Sequence, residues 1–283
     1  MNNIVNVTHP VILRAAGQHQ TETGLLWVPP KLRQWRMDVP GTLTQHTNMG
    51  GGRIMRFELH NRTAGAANVG IGFRWQDQYW KGGLLTAADV WTDNTTAYQA
   101  PTAVAVETAG AVQTGFCVMS TKPFSWVSVN FTTAETDNDA GGEITHTTQY
   151  SNAAGTGWTE VDALSVLTDN FTGAAGTEWG VAAANFVWEP PTDWGKSAAL
   201  SATIPDGFYV LAFRVVGREA NDVAAAVTGV EMGSMLTLEG LATLNVYANE
   251  DIAFDDPWAD GLVAYFSVAD AGNRVYAEVY AIG

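Results

Sequence analysis

Short apolar runs separated by turn residues dominate residues 158–216 and restrict the folds that this chain can adopt. Residues 185–188 read Asn-Phe-Val-Trp and residues 208–216 read Phe-Tyr-Val-Leu-Ala-Phe-Arg-Val-Val, with Pro190 and Pro191 between them. Apolar runs of this length, bounded by Pro, Gly, Asn and Asp, are typical of β-strands joined by turns. The stretch therefore predicts an antiparallel β-sandwich and does not fit a helical protein.

Alternation with a period of two supports the same fold class elsewhere in the chain. In residues 54–59 we predict one buried face and one exposed face that carries Arg56 and Glu58. In residues 274–282 valine and alanine alternate with larger or charged residues, which predicts a final strand. The fold class is therefore all-β, an antiparallel sandwich of jelly-roll-like type.

Proline and glycine divide the chain into three predicted parts. Residues 1–52 contain Pro29-Pro30 and Gly50-Gly51-Gly52, which interrupt any long strand, so we predict an extended N-terminal arm there. Residues 53–216 form the predicted sandwich domain. The strands of residues 217–283 either complete that sandwich or make a small second β domain. Deletion of residues 1–50 is then expected to leave a folded sandwich.

The composition indicates a folded globular chain without a disulfide framework. Hydrophobic residues make up 46% of the 283 and charged residues 15%, as in globular and unlike disordered proteins. Cys117 is the only cysteine and stands in the apolar run 116–119, so we predict a buried, inert thiol. No secretory pattern and no apolar run of roughly 18 residues occurs, so we expect neither a signal peptide nor a membrane span.

The charges are distributed unevenly along the chain. Residues 1–81 hold nine of the 14 Lys and Arg and four acids, a net of +5, whereas the remainder holds five bases and 25 acids, a net of −20. The sum is the overall charge of −15. An acidic body would repel a phosphate backbone, so we do not expect nucleic acid as the partner.

The basic N-terminal segment could dock on an acidic protein surface, with charges that steer association and apolar groups that hold it. A charge bias that contacts only solvent is the open alternative. The candidate partner-contact residues on this hypothesis are Arg14, Leu26, Trp27, Lys31, Leu32, Arg33 and Arg36.

Acidic residues are the only candidates for chemistry in the sequence. Glycoside hydrolysis needs paired carboxylates, and four acids lie near tryptophans that could stack sugars: Glu160, Asp162, Asp169 and Glu189. Acids at turns and on outward strand positions explain the same pattern, and no catalytic triad, phosphate loop or HExxH motif occurs. We therefore predict that the protein is not an enzyme.

Calcium is the one cofactor that the sequence leaves open, because two loops collect hard oxygen donors. Neither loop has EF-hand spacing, and solvated acidic loops are the simpler interpretation, so we predict no cofactor. The two groups are Asp137, Asn138, Asp139 and Glu143, and Asp251, Asp255, Asp256 and Asp260.

Five Trp- and Gly-rich segments follow one another in a set order: TDNTTAYQ, TGFCVMSTKPFSWVSVNF, YSNAAGTGWTEV, PPTDWGK and GFYVLAFRVV. They cover roughly residues 70–216, about half of the chain. This order resembles a Trp- and Gly-rich β-sandwich pattern of bacteriophage virion proteins. The pattern carries no transferable active-site motif, so the resemblance implies a structural module and no functional residue.

The resemblance implies a non-enzymatic virion protein, of the head-decoration or minor-capsid kind, that binds and stabilises the shell. Its partners would be the major capsid protein or other virion proteins, with no nucleic acid and no membrane. We also expect a homo-oligomer, with a trimer favoured, that is made in the host cytoplasm and located in the virion. The alternative is a carbohydrate-binding module or receptor-binding tail protein, whose sugar platform would consist of Trp75, Trp80, Trp91 and Trp158.

Overall fold

The computed structural model is almost entirely β, with strands that pair antiparallel throughout the described residues. The all-β, antiparallel fold class predicted from the sequence is therefore confirmed, whereas the jelly-roll connectivity stays a prediction. The structure describes residues 31–41, 43–47, 52–100, 103–108, 111–133, 135, 144–169, 179, 183–217, 224–249 and 254–281.

Nineteen strands and one short α-helix lie in the described residues. In chain order the strands are β1 (Lys31–Asp38), β2 (Leu43–Thr47), β3 (Gly52–His60), β4 (Ala67–Trp75), β5 (Trp80–Leu85), β6 (Trp91–Asp93), β7 (Val104–Ala105), β8 (Thr114–Ser120), β9 (Trp126–Thr133), β10 (Thr145–Ser151), β11 (Trp158–Glu160), β12 (Val166–Asp169), β13 (Ala183–Trp188), β14 (Tyr209–Gly217), β15 (Ala226–Leu241), β16 (Val246–Asn249), β17 (Phe254–Asp256), β18 (Ala259–Phe266) and β19 (Arg274–Ala281). The helix is α1 (Thr95–Gln99), and two 3-10 turns are Asp77–Tyr79 and Ala163–Ser165.

The chain forms two compact units. The terminal unit combines Met1–Trp75 with Met235–Gly283, and the central unit is Gln76–Ser234. One boundary lies inside β15: its residues up to Ser234 belong to the central unit, and those from Met235 belong to the terminal unit.

The terminal unit buries one core between two sets of strands. One sheet has the order β1-β19-β3-β16, with β17 also paired to β3, and the other set has the order β4-β18-β2. Alternate residues of both sets point inward, as the period of two requires. The buried cluster includes Ile54, Phe57, Leu59, Ile71, Phe73, Leu262, Val275 and Val279.

A β-bulge in β3 changes which of its side chains face the core. The register pairs Arg56 with Glu278 and then Ile54 with Val279, so Met55 is the extra residue. Strict alternation would put Ile54 and Arg56 on the same face. The bulge instead lets Ile54 be fully buried while Arg56 is exposed, and the predicted exposure of Arg56 is confirmed.

Residues 31–47 belong to the sheets of the terminal unit and are not an arm. β1 pairs with β19 along its whole length, and β2 pairs with β18. Met37 and Val39 are buried in the same core as the C-terminal strands. The predicted arm of residues 1–52 is therefore wrong for its described part, because these strands need β19 and β18 as hydrogen-bonding partners. Residues 1–30 lie outside the described residues.

The strand pairing also corrects the predicted domain boundaries. The strands of residues 217–283 that follow β15 pair with strands from the first 75 residues of the chain: β16, β17 and β19 pair with β3, and β18 pairs with β4. The compact units consequently divide after Trp75 and after Ser234, and not after residues 52 and 216. The physical reason is that the first and last strands of the chain close one core together.

The central unit contains a six-stranded sheet and part of a second sheet. The six strands have the order β11-β10-β14-β8-β5-β6. The part of the second sheet that belongs to this unit consists of β12, β13, β9 and the first half of β15, in that order. β7 also pairs with β15. Aromatic rings fill the space between the two sheets. Phe213 stacks on Phe116 at 4.9 Å between ring centroids and meets Phe186 edge-on at 5.3 Å.

The other face of the six-stranded sheet is also covered. Cys117, Val210 and Ala212 point to that side and form a second buried cluster with Leu200 and Ile204 of the segment 189–208. A strand that is buried on both faces needs apolar residues at every position. This explains why β8 and β14 appear in the sequence as continuous apolar runs, whereas β3 and β19 alternate.

Gly155 combines a left-handed backbone conformation with a close backbone contact that leaves no room for a side chain. Its φ is +70°, and a Cβ there would lie 1.8 Å from the carbonyl oxygen of Lys196. Gly207 has a φ of +89° with no atom within 4 Å of such a Cβ. We expect Gly207→Ala to cost about 1 kcal/mol for its backbone strain alone, and Gly155→Ala to cost about 1–3 kcal/mol more for the clash. Urea denaturation of both variants checks this, and equal costs would contradict it.

Candidate interaction surface

The side of the sheet β1-β19-β3-β16 that faces away from the core, here the outer face, is the candidate functional surface of the terminal unit. The intervening residues of β19, Val275 and Val279, are fully buried on the opposite side. The register arranges the outward residues in two rows that each cross four strands. One row is Asp38, Arg274, His60 and Val246, and the other is Arg36, Tyr276, Glu58 and Ala248.

Ion pairs within strands and across neighbouring strands balance the charge of the outer face. Arg56 lies 2.5 Å from Glu278, and Arg274 lies 3.0 Å from Asp38. The other pairs are Arg36–Asp38 at 3.3 Å, Arg53–Asp255 at 3.1 Å and His60–Glu58 at 3.1 Å. Four arginines and four carboxylates take part, so these groups carry no net charge on a chain whose total is −15.

An aromatic and apolar centre lies among these charges. Tyr276 is 36% exposed, and its ring meets the ring of His60 edge-on at 5.1 Å. Val246, in register with His60, is 44% exposed. An exposed tyrosine beside an imidazole and surrounded by arginines has the composition that protein–protein interfaces favour. The outer face is therefore suited to contact another protein.

The uneven charge distribution of the sequence is largely compensated in space. Arginines of the basic N-terminal part pair with acids close to the C-terminus: Arg53 with Asp255, Arg56 with Glu278, and Arg74 with Asp260 at 2.8 Å. These partners are about 200 residues apart in the chain, so a count along the sequence assigns them to different segments. The described arginines of the N-terminal part therefore do not form a purely basic docking patch.

The predicted contact residues have different outcomes. Arg36 is exposed on the outer face and pairs with Asp38. Lys31, Leu32 and Arg33 lie in β1, where the structure describes their backbone pairing with β19. Arg14, Leu26 and Trp27 lie outside the described residues. Sequence reasoning missed Tyr276, His60 and Val246, although the alternation in residues 274–282 already placed Tyr276 opposite the buried side.

The predicted sugar platform of four tryptophans is wrong. Trp75 and Trp80 are 1% and 2% exposed, and Trp91 and Trp158 pack against the buried cluster on the six-stranded sheet. The Trp75 indole N–H donates to the Asp256 carboxylate at 2.5 Å. This hydrogen bond holds the Trp75 side chain in the interior. Sugar stacking needs an exposed ring face, which neither Trp75 nor Trp80 provides.

The candidate calcium loops receive no support where they are described. Asp255 pairs with Arg53, Asp256 accepts from Trp75 and from the backbone of Trp258, and Asp260 pairs with Arg74. Over the described part of the chain no three His, Cys, Asp or Glu side chains stand close enough to share a metal. The other four-residue group, at 137–143, and Asp251 lie outside the described residues.

The four acids that sequence reasoning weighed for catalysis separate into different roles. Asp162 caps the 3-10 turn by accepting from Leu164 N at 2.9 Å, and Glu189 is exposed. Glu160 accepts from the Thr147 hydroxyl at 2.9 Å. Glu160 and Asp169 line a common pocket, which the sequence did not predict.

Cys117 is buried, as predicted. It is fully buried in β8, and burial raises the pKa of its thiol to about 12, although the nearby Arg214 opposes part of that shift. A thiol with such a pKa is not a thiolate nucleophile at neutral pH. Burial of both faces of β8 is what excludes water here.

Comparison of the chain with protein-family models, with curated proteins and with solved structures finds no significant match. Among the helices of the described residues, none has the length and apolar character needed to cross a membrane.

Proposed function

We propose that the protein is a non-enzymatic structural protein of a bacteriophage virion, of the head-decoration or minor-capsid kind, that binds and stabilises the capsid shell. The order of Trp- and Gly-rich segments over residues 70–216 supports this class, and the all-β fold is compatible with it. The observation that carries the proposal is the outer face of the terminal unit. There the rings of Tyr276 and His60 are surrounded by arginines and carboxylates that pair with one another.

The outer face is a better attachment surface than the N-terminal segment alone. Its positive and negative groups pair with each other, so a partner that covers them does not face an excess of positive or negative charge. Exposed rim pairs contribute little to affinity, and the buried aromatic centre of an interface contributes most of it. On this proposal Tyr276 is the anchor and Arg36 lies at the rim. The preferred assembly on the particle is a homo-oligomer, with a trimer as the favoured state.

Replacement of Tyr276 by alanine tests the attachment surface. Tyr276→Ala is expected to weaken binding to particles by about 30-fold or more, since central interface tyrosines contribute about 2 kcal/mol or more. The fold should persist, because the side chain is on the exposed side of β19. Cosedimentation of the purified protein with particles that lack it measures the bound fraction as a function of concentration.

Leu244→Ala is the matched control, since Leu244 is 63% exposed and outside the two rows of the outer face. It should bind as the unchanged protein does. If Tyr276→Ala still saturates particles at the same concentration, the outer face is not the attachment surface. If the unchanged protein does not bind particles and is absent from a mass-spectrometric inventory of virions, the structural role itself is wrong.

A further inference from the structure

The sheet that carries the outer face ends in two edge strands, β1 and β16. An edge strand presents backbone N–H and C=O groups with which a strand of another chain can pair. Natural proteins protect such edges with charged side chains. The register and one hydrogen bond at each edge show which residues of β1 and β16 carry these outward groups, and the two edges differ in their chemistry.

In β16 the outward backbone groups belong to Val246 and Ala248. The N–H of Asn61 donates to the carbonyl of Asn245 at 3.0 Å, and the register with β3 continues from there along β16. Hydrogen-bonded and non-hydrogen-bonded pairs alternate in an antiparallel ladder, so Tyr247 bonds to β3 while Val246 and Ala248 direct their N–H and C=O groups away from it. Neither Val246 nor Ala248 has a backbone hydrogen-bond partner among the described residues.

The open edge of β16 is exposed and carries no charge. Val246 is 44% exposed, and Ala248 is exposed as well. Their side chains lie on the outer face, whereas Tyr247 packs against the core. All four residues of β16 are uncharged. An exposed, uncharged edge with unpaired backbone groups is suited to the addition of a strand from another chain.

β1 is the protected edge of the same sheet. The N–H of Val39 donates to the carbonyl of Asn273 at 2.9 Å, so the same alternation directs the backbone groups of Arg36 and Asp38 away from β19. The side chains of these two residues are exposed and form an ion pair with each other at 3.3 Å. A strand added at β1 would have to cover these charges, whereas a strand added at β16 meets only apolar side chains on the outer face.

We propose that β16 receives an extended, uncharged segment of another virion protein, which adds to the sheet as a further strand. An extended segment satisfies the outward groups of Val246 and Ala248, because these groups have the spacing of a strand. Apolar residues of the added segment lie opposite the two side chains and form favourable cross-strand pairs. The added strand continues the outer face, so this inference rests on the proposed function and identifies the form of the partner.

A second copy of this chain is the less favourable occupant of the edge. Each copy carries a net charge of −15, so two copies repel each other, whereas an uncharged segment adds no repulsion. β16 is also only four residues long, which offers too little contact area to hold two such bodies together. A flexible or extended segment of a partner that is already bound at the outer face does not meet this limit.

Proline at position 248 tests the inference, because it removes an outward N–H and leaves the ladder to β3 intact. Ala248→Pro is expected to weaken binding to particles by about tenfold or more, in the same cosedimentation assay as Tyr276→Ala. Ala248→Ser is the matched control: it keeps the N–H and should bind as the unchanged protein does. Circular dichroism and thermal melting show whether each variant is folded.

Hydrogen exchange of the unchanged protein gives a second readout that needs no variant. In the unbound chain the amides of Val246 and Ala248 should exchange rapidly, since they have no partner, whereas the amide of Tyr247 is protected by β3. On particles the exchange of the two open amides should slow by about 100-fold or more. Mass spectrometry of peptides that cover residues 242–249 measures this difference.

Equal particle binding by folded Ala248→Pro and the unchanged protein would overturn the inference, and so would unaltered exchange of the two amides on particles. If Ala248→Pro does not fold, the exchange measurement decides alone. If Tyr276→Ala still weakens binding when the inference fails, the outer face remains the attachment surface and only the strand addition is wrong.

The other possible occupants give their own results. Slow exchange of Val246 and Ala248 in an unbound monomer would show that another segment of this chain covers the edge. Slow exchange in a dimer detected by sedimentation would show that a second copy covers it. Either result overturns the inference. If the unchanged protein does not bind particles at all, the inference fails together with the proposed function.

Discussion

Replacement of Trp188 by alanine is expected to destabilise the protein by about 3–5 kcal/mol, the range for buried large aromatic residues. Trp188 is fully buried in β13, and its indole N–H donates to the carbonyl of Phe124 at 2.9 Å. Its ring meets Trp194 at 4.7 Å and Tyr150 at 6.1 Å between centroids. The substitution removes these contacts and leaves a cavity in the aromatic core. Chemical denaturation followed by near-ultraviolet circular dichroism measures the loss.

Two further variants separate the causes of that loss. Trp188→Phe keeps most of the ring but removes the N–H donor, so the hydrogen bond to the carbonyl of Phe124 is lost at a cost of about 1 kcal/mol. Leu244→Ala, at a 63% exposed position, should change stability by less than about 0.5 kcal/mol. A loss below about 1 kcal/mol for Trp188→Ala would mean that the aromatic cluster is not the core of the central unit.

Deletion of residues 1–50 is expected to unfold the terminal unit, contrary to the expectation from sequence alternation. The deletion removes β1 and β2, so β19 and β18 each lose the hydrogen-bonding partner on one side. It also removes Met37 and Val39 from the buried core. We expect protection of the β18 and β19 amides from hydrogen exchange to fall by about 100-fold or more, equivalent to roughly 3 kcal/mol.

Point variants in β1 test the same strand in the full-length chain. Met37→Asp places a charge in the core and should reproduce much of the loss of protection, because an unpaired buried charge is strongly unfavourable. Arg36→Ala, at the neighbouring exposed position, should have little effect. A truncated chain with native protection in β18 and β19 would show that β1 and β2 are dispensable, as the sequence alone suggested.

The two units also illustrate why burial on one face or on two matters for function. β19 is buried on one side only and so presents Tyr276 and Glu278 at the surface, where they are available to a partner. β8 is buried on both sides and exposes no side chain to a partner. Candidate contact residues are therefore expected in the alternating strands, whereas the continuous apolar runs contribute stability.

Local features of the sequence were sufficient to predict the fold class and many of the strands. The run predicted at 208–216 corresponds to β14 (Tyr209–Gly217), and the alternation near the C-terminus corresponds to β19 (Arg274–Ala281). The burial of Cys117 also followed from its apolar neighbours. These predictions succeed because the spacing of apolar residues along a strand directly reflects which of its faces are buried.

Only the tertiary structure decided how these strands combine. The pairing of β1 with β19 joins residues more than 200 positions apart, and no local pattern encodes such a partner. The same pairing turned an apparent N-terminal arm into part of a core. The pairing of β3 and β4 with C-terminal strands placed arginines beside distant acids. The bulge at Met55 and the burial of Trp75 likewise depend on neighbours in space. Periodicity specifies which side of a strand is apolar, whereas the choice of partner strand is set by packing and hydrogen bonding across the whole chain.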